Sequence, residues 1–338
     1  MRSATLNQHI AMKHGAGGRA MRRLVEQVFL RDANPTAAAM DDGAAIPFEG
    51  GWLVVTTDSH VIHPIVFPGG DIGRLAVSGT VNDLAMMGAT EPLGLTCGVI
   101  VEEGFPVEQL VRLQESMRSA CEEAGTTIVA GDTKVMRRGE LDGIVINTSG
   151  FGFARHIVRD SGLEAGDRII VTGTIGDHGM AVMAARHQFE FRDELHSDVA
   201  PLNTLIRRAL TAGGEDVSAM KDPTRGGVAS ALHEMAEKSK VGIVLDELSV
   251  PVRTSVRAAA ELLGIDPLFI ANEGKALIGV RPSAVDAVLA AVRAHPYGAD
   301  AAIIGTCVHE SPGSVMVDTG FGRRLLSEPD GELLPRIC

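Results

Sequence analysis

Aspartates recur in five short segments of this 338-residue chain, at what read as turns or strand ends: Asp41-Asp42-Gly43, Thr57-Asp58, Asn82-Asp83, Gly131-Asp132-Thr133-Lys134 and Lys221-Asp222-Pro223-Thr224-Arg225. Carboxylates converging on one point repel one another unless a cation lies between them, and the usual cation at a phosphate site is Mg²⁺. The pattern therefore points to a metal–nucleotide site. Each aspartate alone also suits a turn or a helix cap, and that role is read for Asp41 and for Asp71, the expected N-cap of the run that follows. Asp83 differs, because it falls inside a helix-like run, 71–88, that is otherwise small and apolar. A charge there needs a partner, and a bound cation is one. Ala76, Gly79, Ala85 and Gly88 in the same run would let another backbone approach closely.

Other residues offer supporting chemistry. His14-Gly15-Ala16-Gly17-Gly18-Arg19 precedes a helix-like run, as anion-binding glycine loops do, and equally suits a glycine linker. Lys134, read in a turn after a strand, suits phosphate charge or an exposed surface. Glu273 in Asn272-Glu273-Gly274-Lys275 offers a general base, or a turn residue. His60 and His63 lie three apart, but Pro64 prevents a helix around them, so a structural or substrate-contact role is expected. The final residue, Cys338, ends a stretch whose Pro329, Gly331 and Pro335 remove helix and ladder options. Such a tail is either a mobile thiol carrier or an incidental end. A thiol of ordinary pKa, about 8.5, would need a basic or cationic neighbour to act as a nucleophile.

The elements that must position these residues alternate. Strands are expected at 53–57, 93–101, 127–130, 144–152, 168–172, 242–245, 276–280, 302–308 and 314–318. Helices are expected at 21–30, 71–87, 107–124, 178–186, 203–212, 227–238, 253–263 and 284–294, which makes the class α/β or α+β. A polar, turn-like stretch at 154–167 marks a domain boundary. With 45% apolar and 22% charged residues the composition is that of a globular enzyme, and a net charge of −12 argues against general nucleic-acid binding. The first nine residues hold no apolar core of signal length and no run spans a bilayer, so a cytoplasmic location without membrane association is expected. Cys97, Cys121 and Cys307 are scattered with no Cys-x-x-Cys, and Cys97 and Cys307 lie in strand-like runs as buried, inert thiols.

Taken together, the run from Thr57 to Ala89, the ending Pro335-Arg336-Ile337-Cys338 and the segments around His14–Arg19, Asp41–Ala45, Gly131–Lys134, Asp222–Gly227 and Asn272–Lys275 resemble the HypE carbamoyl dehydratase family. That family belongs to the superfamily of aminoimidazole ribonucleotide synthetase, selenophosphate synthetase and thiamine monophosphate kinase. The resemblance covers essentially the whole chain and implies an α+β, two-domain aminoimidazole ribonucleotide synthetase-like fold. Its parts would be an N-terminal ATP-binding and dimerisation domain, 1–155, whose sheet forms a barrel across a homodimer, a C-terminal α/β sandwich, 156–325, and a mobile tail, 326–338. It implies that a carbamoyl group received on Cys338 from HypF is dehydrated with ATP to a thiocyanate. The cyanide then passes to iron on a HypC–HypD complex, for [NiFe] hydrogenase. Carried over by motif, Asp42, Asp83 and Asp222 would hold Mg²⁺. Asp58, Asn82, Asp132 and Thr133 would surround ATP, with Gly15, Gly17, Gly18 and Arg19 over its phosphates, and Cys338, Lys134 and Glu273 would be catalytic. The alternatives are a kinase or synthetase of the same superfamily acting on a free small molecule, for which the tail would be irrelevant, and a nucleotide-binding scaffold without catalysis.

Overall fold

The computed structural model describes residues 9–15, 18–30, 39–189 and 195–328; the expectations for Gly17, for Cys338 and for the tail from residue 329 lie outside them. The first sheet contains β1 (Ala44–Phe48), β2 (Gly51–His60), β5 (Pro92–Glu102), β6 (Ile128–Met136) and β7 (Ile144–Ala154) in the order β1-β2-β7-β5-β6, with β3 (Val66–Phe67) and β4 (Gly70–Asp71) forming a separate hairpin. All its pairs are antiparallel except β5 with β6. Strand β7 alternates buried and half-buried residues along its whole length, the period of a sheet with one face on the core.

The element on that face is the helix Ile72–Met86, in which every residue except Arg74 and Asp83 is buried. An α-helix apolar nearly all round must be covered on all sides. The sheet covers one side and the helix Val107–Ala124 packs alongside, Leu75, Val81, Leu113, Met117, Ile144 and Ile146 sharing one core. Asp71 caps the buried helix as expected, accepting from the backbone N–H groups of Gly73 at 2.8 Å and Arg74 at 2.9 Å. A Cβ at Gly150 would lie 2.7 Å from Thr80 Cγ2, so glycine there lets the helix settle on the sheet.

The second sheet orders β8 (Arg168–Val171), β9 (Val217–Lys221), β10 (Gly242–Asp246), β11 (Leu277–Val280), β12 (Ala302–Val308), β13 (Val315–Asp318) and β14 (Arg323–Leu326) as β14-β13-β10-β12-β8-β11-β9. Its inner strands carry apolar side chains on both faces. Ile169, Val171 and Leu277 pack with the helix Gly227–Ser239, whereas Ile170, Ile278 and Val280 pack with the helices Asn203–Gly213 and Val285–Arg293. Ala85 and Met86, from the first sheet's helix, sit in that second cluster, so the two halves share packing.

Two segments expected at turns or strand ends lie inside strands. Asp58 lies within the ten-residue β2, and Gly131–Lys134 lies within β6. Strand β6 has neighbour β5 on one side only and is exposed along most of its length, so its short polar run Asp132-Thr133-Lys134 reads like a loop. The short strands β1, β3, β4, β9 and β14 were not expected. No described helix is long and apolar enough to cross a membrane.

Candidate active site

Five of the expected site residues meet in one cavity of about 310 Å³ between the two sheets: Asp42, Asp58, Asp83, Asp222 and Glu273. Asp42 precedes β1, Asp58 lies on β2, Asp83 is in the last turn of the helix Ile72–Met86, Asp222 follows β9 and Glu273 precedes β11. Chain segments more than two hundred residues apart thus deliver carboxylates to one place. Thr56 Oγ1 stands 2.7 Å from Asp83 Oδ2 and 3.1 Å from the Asp42 carbonyl.

So many acids in a buried space carry an electrostatic cost, and the site records it. Burial, then repulsion by Asp222, Asp58 and Asp42, pushes Asp83 well above the ordinary carboxylate value. Burial and Asp42 push Asp222 up to about 8. Glu273 is likewise driven well above its ordinary value by burial, then by Asp222 and Asp58, and its buried Oε1 has no hydrogen-bond partner. Asp58 moves the other way. Burial alone would raise it, but the hydrogen bond and charge of His60, with Arg225, hold it below the ordinary range. His60 Nε2 lies 3.2 Å from Asp58 Oδ2, and a Cβ at Gly79 would come within 2.9 Å of that nitrogen, so the small residue makes room for the pair.

Among the described residues, no three acidic, imidazole or thiol side chains are arranged as a closed metal cage. The donor set nevertheless fits Mg²⁺. That ion takes one or two carboxylates and keeps water or phosphate oxygens in its other positions, and the mutual repulsion of Asp83 and Asp222 is what a cation relieves.

The remaining expectations are placed as follows. Arg225 Nη1 donates to the carbonyl of Gly15 at 3.2 Å, which brings the first glycine of that segment to the cavity rim. Gly18 opens a helix, Gly18–Leu24, and Arg19 pairs with Glu328 at 3.5 Å. Asn82 is buried and does not line the cavity; its amide is engaged by backbone groups of 200–202 and by Glu273. Asp132, Thr133 and Lys134 lie on the exposed β6, away from the acids, with Lys134 Nζ 3.3 Å from Asp132 Oδ2. Asp41, expected as a turn residue, has a buried side chain paired with Arg159. Sequence reasoning gave no role to Lys221, Glu234 or Thr56, which also line the cavity. Lys221 adjoins Asp222 and could have been noticed, whereas Glu234 sits in an ordinary amphipathic helix and carries no local signal.

Two α+β halves enclosing an acidic cavity, with Gly15 bonded to Arg225 on its lining, place the chain in the AIR synthase-related class. The N-terminal domain model of that family matches residues 40–154 and the C-terminal domain model matches 164–318. The carbamoyl dehydratase HypE of Rhizobium leguminosarum bv. viciae is 47% identical over 336 residues, which are 98% of this chain and 96% of that protein. A crystal structure of a HypE–HypF complex contains a chain 46% identical, with a TM-score of 0.86, covering 90% of this chain and 99% of that one. A HypE crystal structure in complex with ATP is 42% identical with a TM-score of 0.82, covering 97% and 99%. The chain belongs to the HypE carbamoyl dehydratase family.

Proposed function

We propose that this chain is an ATP-dependent carbamoyl dehydratase that converts a carbamoyl group on the sulfur of Cys338 into a thiocyanate, supplying cyanide for the iron of [NiFe] hydrogenase. The observation that carries this reading is the convergence of Asp42, Asp58, Asp83, Asp222 and Glu273 on one cavity in a chain 47% identical to a carbamoyl dehydratase. In the balanced reaction the carbon–oxygen bond of S–C(=O)NH₂ breaks, both nitrogen protons leave and a C≡N bond remains, while ATP becomes ADP and phosphate carrying that oxygen. Mg²⁺·ATP, when bound, supplies the phosphoryl group that turns a poor amide oxygen leaving group into a good one.

The chain's own groups would do the rest. Asp42, Asp83 and Asp222 hold the metal, and Asp58 and the glycine segment through Arg19 face the nucleotide. Glu273, whose Oε1 is buried and unpartnered, would take protons from the nitrogen, and burial with the repulsion of Asp222 and Asp58 raises its affinity for them. Lys134, Asp132 and Thr133 stand on an exposed edge, and we place them at the site through a homodimer in which the first sheets join as a barrel. HypF is the proposed carbamoyl donor, and a HypC–HypD complex the proposed cyanide acceptor, in the cytoplasm, where scattered thiols stay reduced. A domain division after residue 155 is supported by the separation of the two sheets.

Mass spectrometry of the intact chain after incubation with HypF, carbamoyl phosphate and ATP tests the reading. The C-terminal peptide should gain a carbamoyl group and then lose water. Full ATP turnover on a free small molecule by a chain lacking its last residues would instead favour a kinase or synthetase.

A further inference from the structure

Lys221 closes β9 inside the acidic cavity, and the reaction described above leaves it without a part. Its Nζ lies 2.5 Å from Asp42 Oδ1, 3.4 Å from Glu234 Oε2 and 3.6 Å from Asp160 Oδ2. These carboxylates come from the approach to β1, from the helix Gly227–Ser239 and from the stretch between the sheets. Asp160 has a second cation, Lys238, at 2.6 Å, and Lys238 also donates to the carbonyl of Met40 at 2.6 Å. The arrangement is uneven. Asp42 and Glu234 both line the cavity and Asp160 does not, and Asp160 and Glu234 would still partner the ammonium if Asp42 turned away.

A buried ammonium stripped of its only counterion is costly, and a buried ammonium with two to spare is not. We propose that Lys221 is the resident counterion of this cavity. In the nucleotide-free protein it holds Asp42 and competes with a divalent cation for that carboxylate, and when metal enters with nucleotide it yields Asp42 and stays on Asp160 and Glu234. The inference rests on the proposed metal role of Asp42, Asp83 and Asp222. Its consequence is order: the site takes metal poorly by itself and readily as the metal–nucleotide complex, whose phosphates add anionic donors of their own. Lys221 is thus a positioning residue, and a compact point charge with rotatable donors suits the exchange better than a planar fork.

The test is Mn²⁺ binding followed by electron paramagnetic resonance on the full chain, with and without a non-hydrolysable ATP analogue. Without nucleotide, Lys221→Met should bind Mn²⁺ about tenfold or more tightly than the natural chain, because a positive charge beside the ion has gone. Lys221→Arg, which keeps the charge, should stay close to the natural chain. If Lys221→Met does not fold, Lys221→Met/Glu234→Gln, which removes one negative charge with the positive one, should still bind Mn²⁺ about threefold or more tightly, since Asp42 is freed. Equal or weaker Mn²⁺ binding by Lys221→Met or by the double variant, while the natural chain binds Mn²⁺ with the analogue, would overturn the role of Lys221 and leave the metal site standing. A natural chain that binds no Mn²⁺ even with the analogue would remove the metal site, and this inference with it.

Discussion

Asn82 Nδ2 donates to the carbonyl of Glu273 at 3.3 Å, a bond from a helix of the first half to the segment before β11 of the second. The other side of the same residue is held too, because the Glu273 N–H donates to Asp198 Oδ1 at 3.1 Å. Asp198 is itself 3.1 Å from the ammonium of Lys275. The backbone of Glu273 is therefore fixed from both directions while its buried Oε1 is left without a hydrogen-bond partner. A side chain meant to exchange a proton needs a rigid base and a free end.

Replacing Asn82 by alanine should separate that positioning role from a nucleotide contact. The substitution also strands the N–H of Leu202, which donates to Asn82 Oδ1 at 2.7 Å, and the carbonyl of Ala200. Leaving buried groups unpaired costs about 1–3 kcal/mol each, so the melting temperature should fall measurably. Nucleotide affinity, read by calorimetry, should change little, while turnover drops by about tenfold or more as Glu273 loses its fixed position.

Asp83→Asn is expected to do the opposite to stability. The aspartate is raised by burial and three neighbouring acids, so an uncharged amide of the same shape removes repulsion. The variant should melt no lower than the natural chain, yet its ATP turnover should fall by about a hundredfold. A lower melting temperature with retained turnover would show that Asp83 serves packing instead.

The pH dependence follows from Asp222. Its carboxyl moves from an ordinary 3.8 to about 8 in the folded protein, so between those values the folded chain keeps a proton that the unfolded chain has lost. Stability of the nucleotide-free protein should consequently decline as pH rises through that window and level off above it. A cation replaces the proton, so the thermal shift produced by Mg²⁺ with an ATP analogue should be larger at about pH 8.5 than at about pH 6. Equal shifts at both would exclude proton-linked metal binding at Asp222.

Cysteine reactivity offers a simpler check. Cys97, Cys121 and Cys307 are buried free thiols, and burial pushes Cys121 up to about 11 and Cys307 up to about 12. Native alkylation at neutral pH should leave all three unmodified, so any adduct found by peptide mapping should map to Cys338. An adduct on Cys307 without unfolding would contradict the burial of that strand.

What could be read in the sequence was what periodicity and side-chain chemistry report locally. The helix Val107–Ala124 was expected at its observed ends, because its apolar stripe stops at Gly125, a left-handed cap. Asp83 stood out as a charge in an apolar helix, and it does face the cavity. The reading failed where the deciding neighbour is distant. Asn82 beside it is equally polar, but only the position of 200–202 and Glu273 shows that its amide is consumed by backbone. Lys134 and Asp132 looked like a turn because Gly131 and three polar residues in a row, solvated on an exposed edge strand, have the local composition of a loop.

That edge carries the last prediction. Val129 and Val135 on β6 are 55% and 69% exposed, Leu93 on β5 is 61% exposed, and β6 has an open side available for pairing. Apolar residues on an unpaired edge invite association, and natural proteins usually guard such edges with charge. If two copies join their first sheets there, Asp132, Thr133 and Lys134 are brought from an open surface to an interface. Val135→Glu should then give monomers by light scattering, and ATP turnover should fall with assembly although the substitution touches none of the acids in the cavity. A monomer with full turnover would mean that one chain holds the complete site and that Lys134 is a surface residue. A variant that stays dimeric would place the interface on another face.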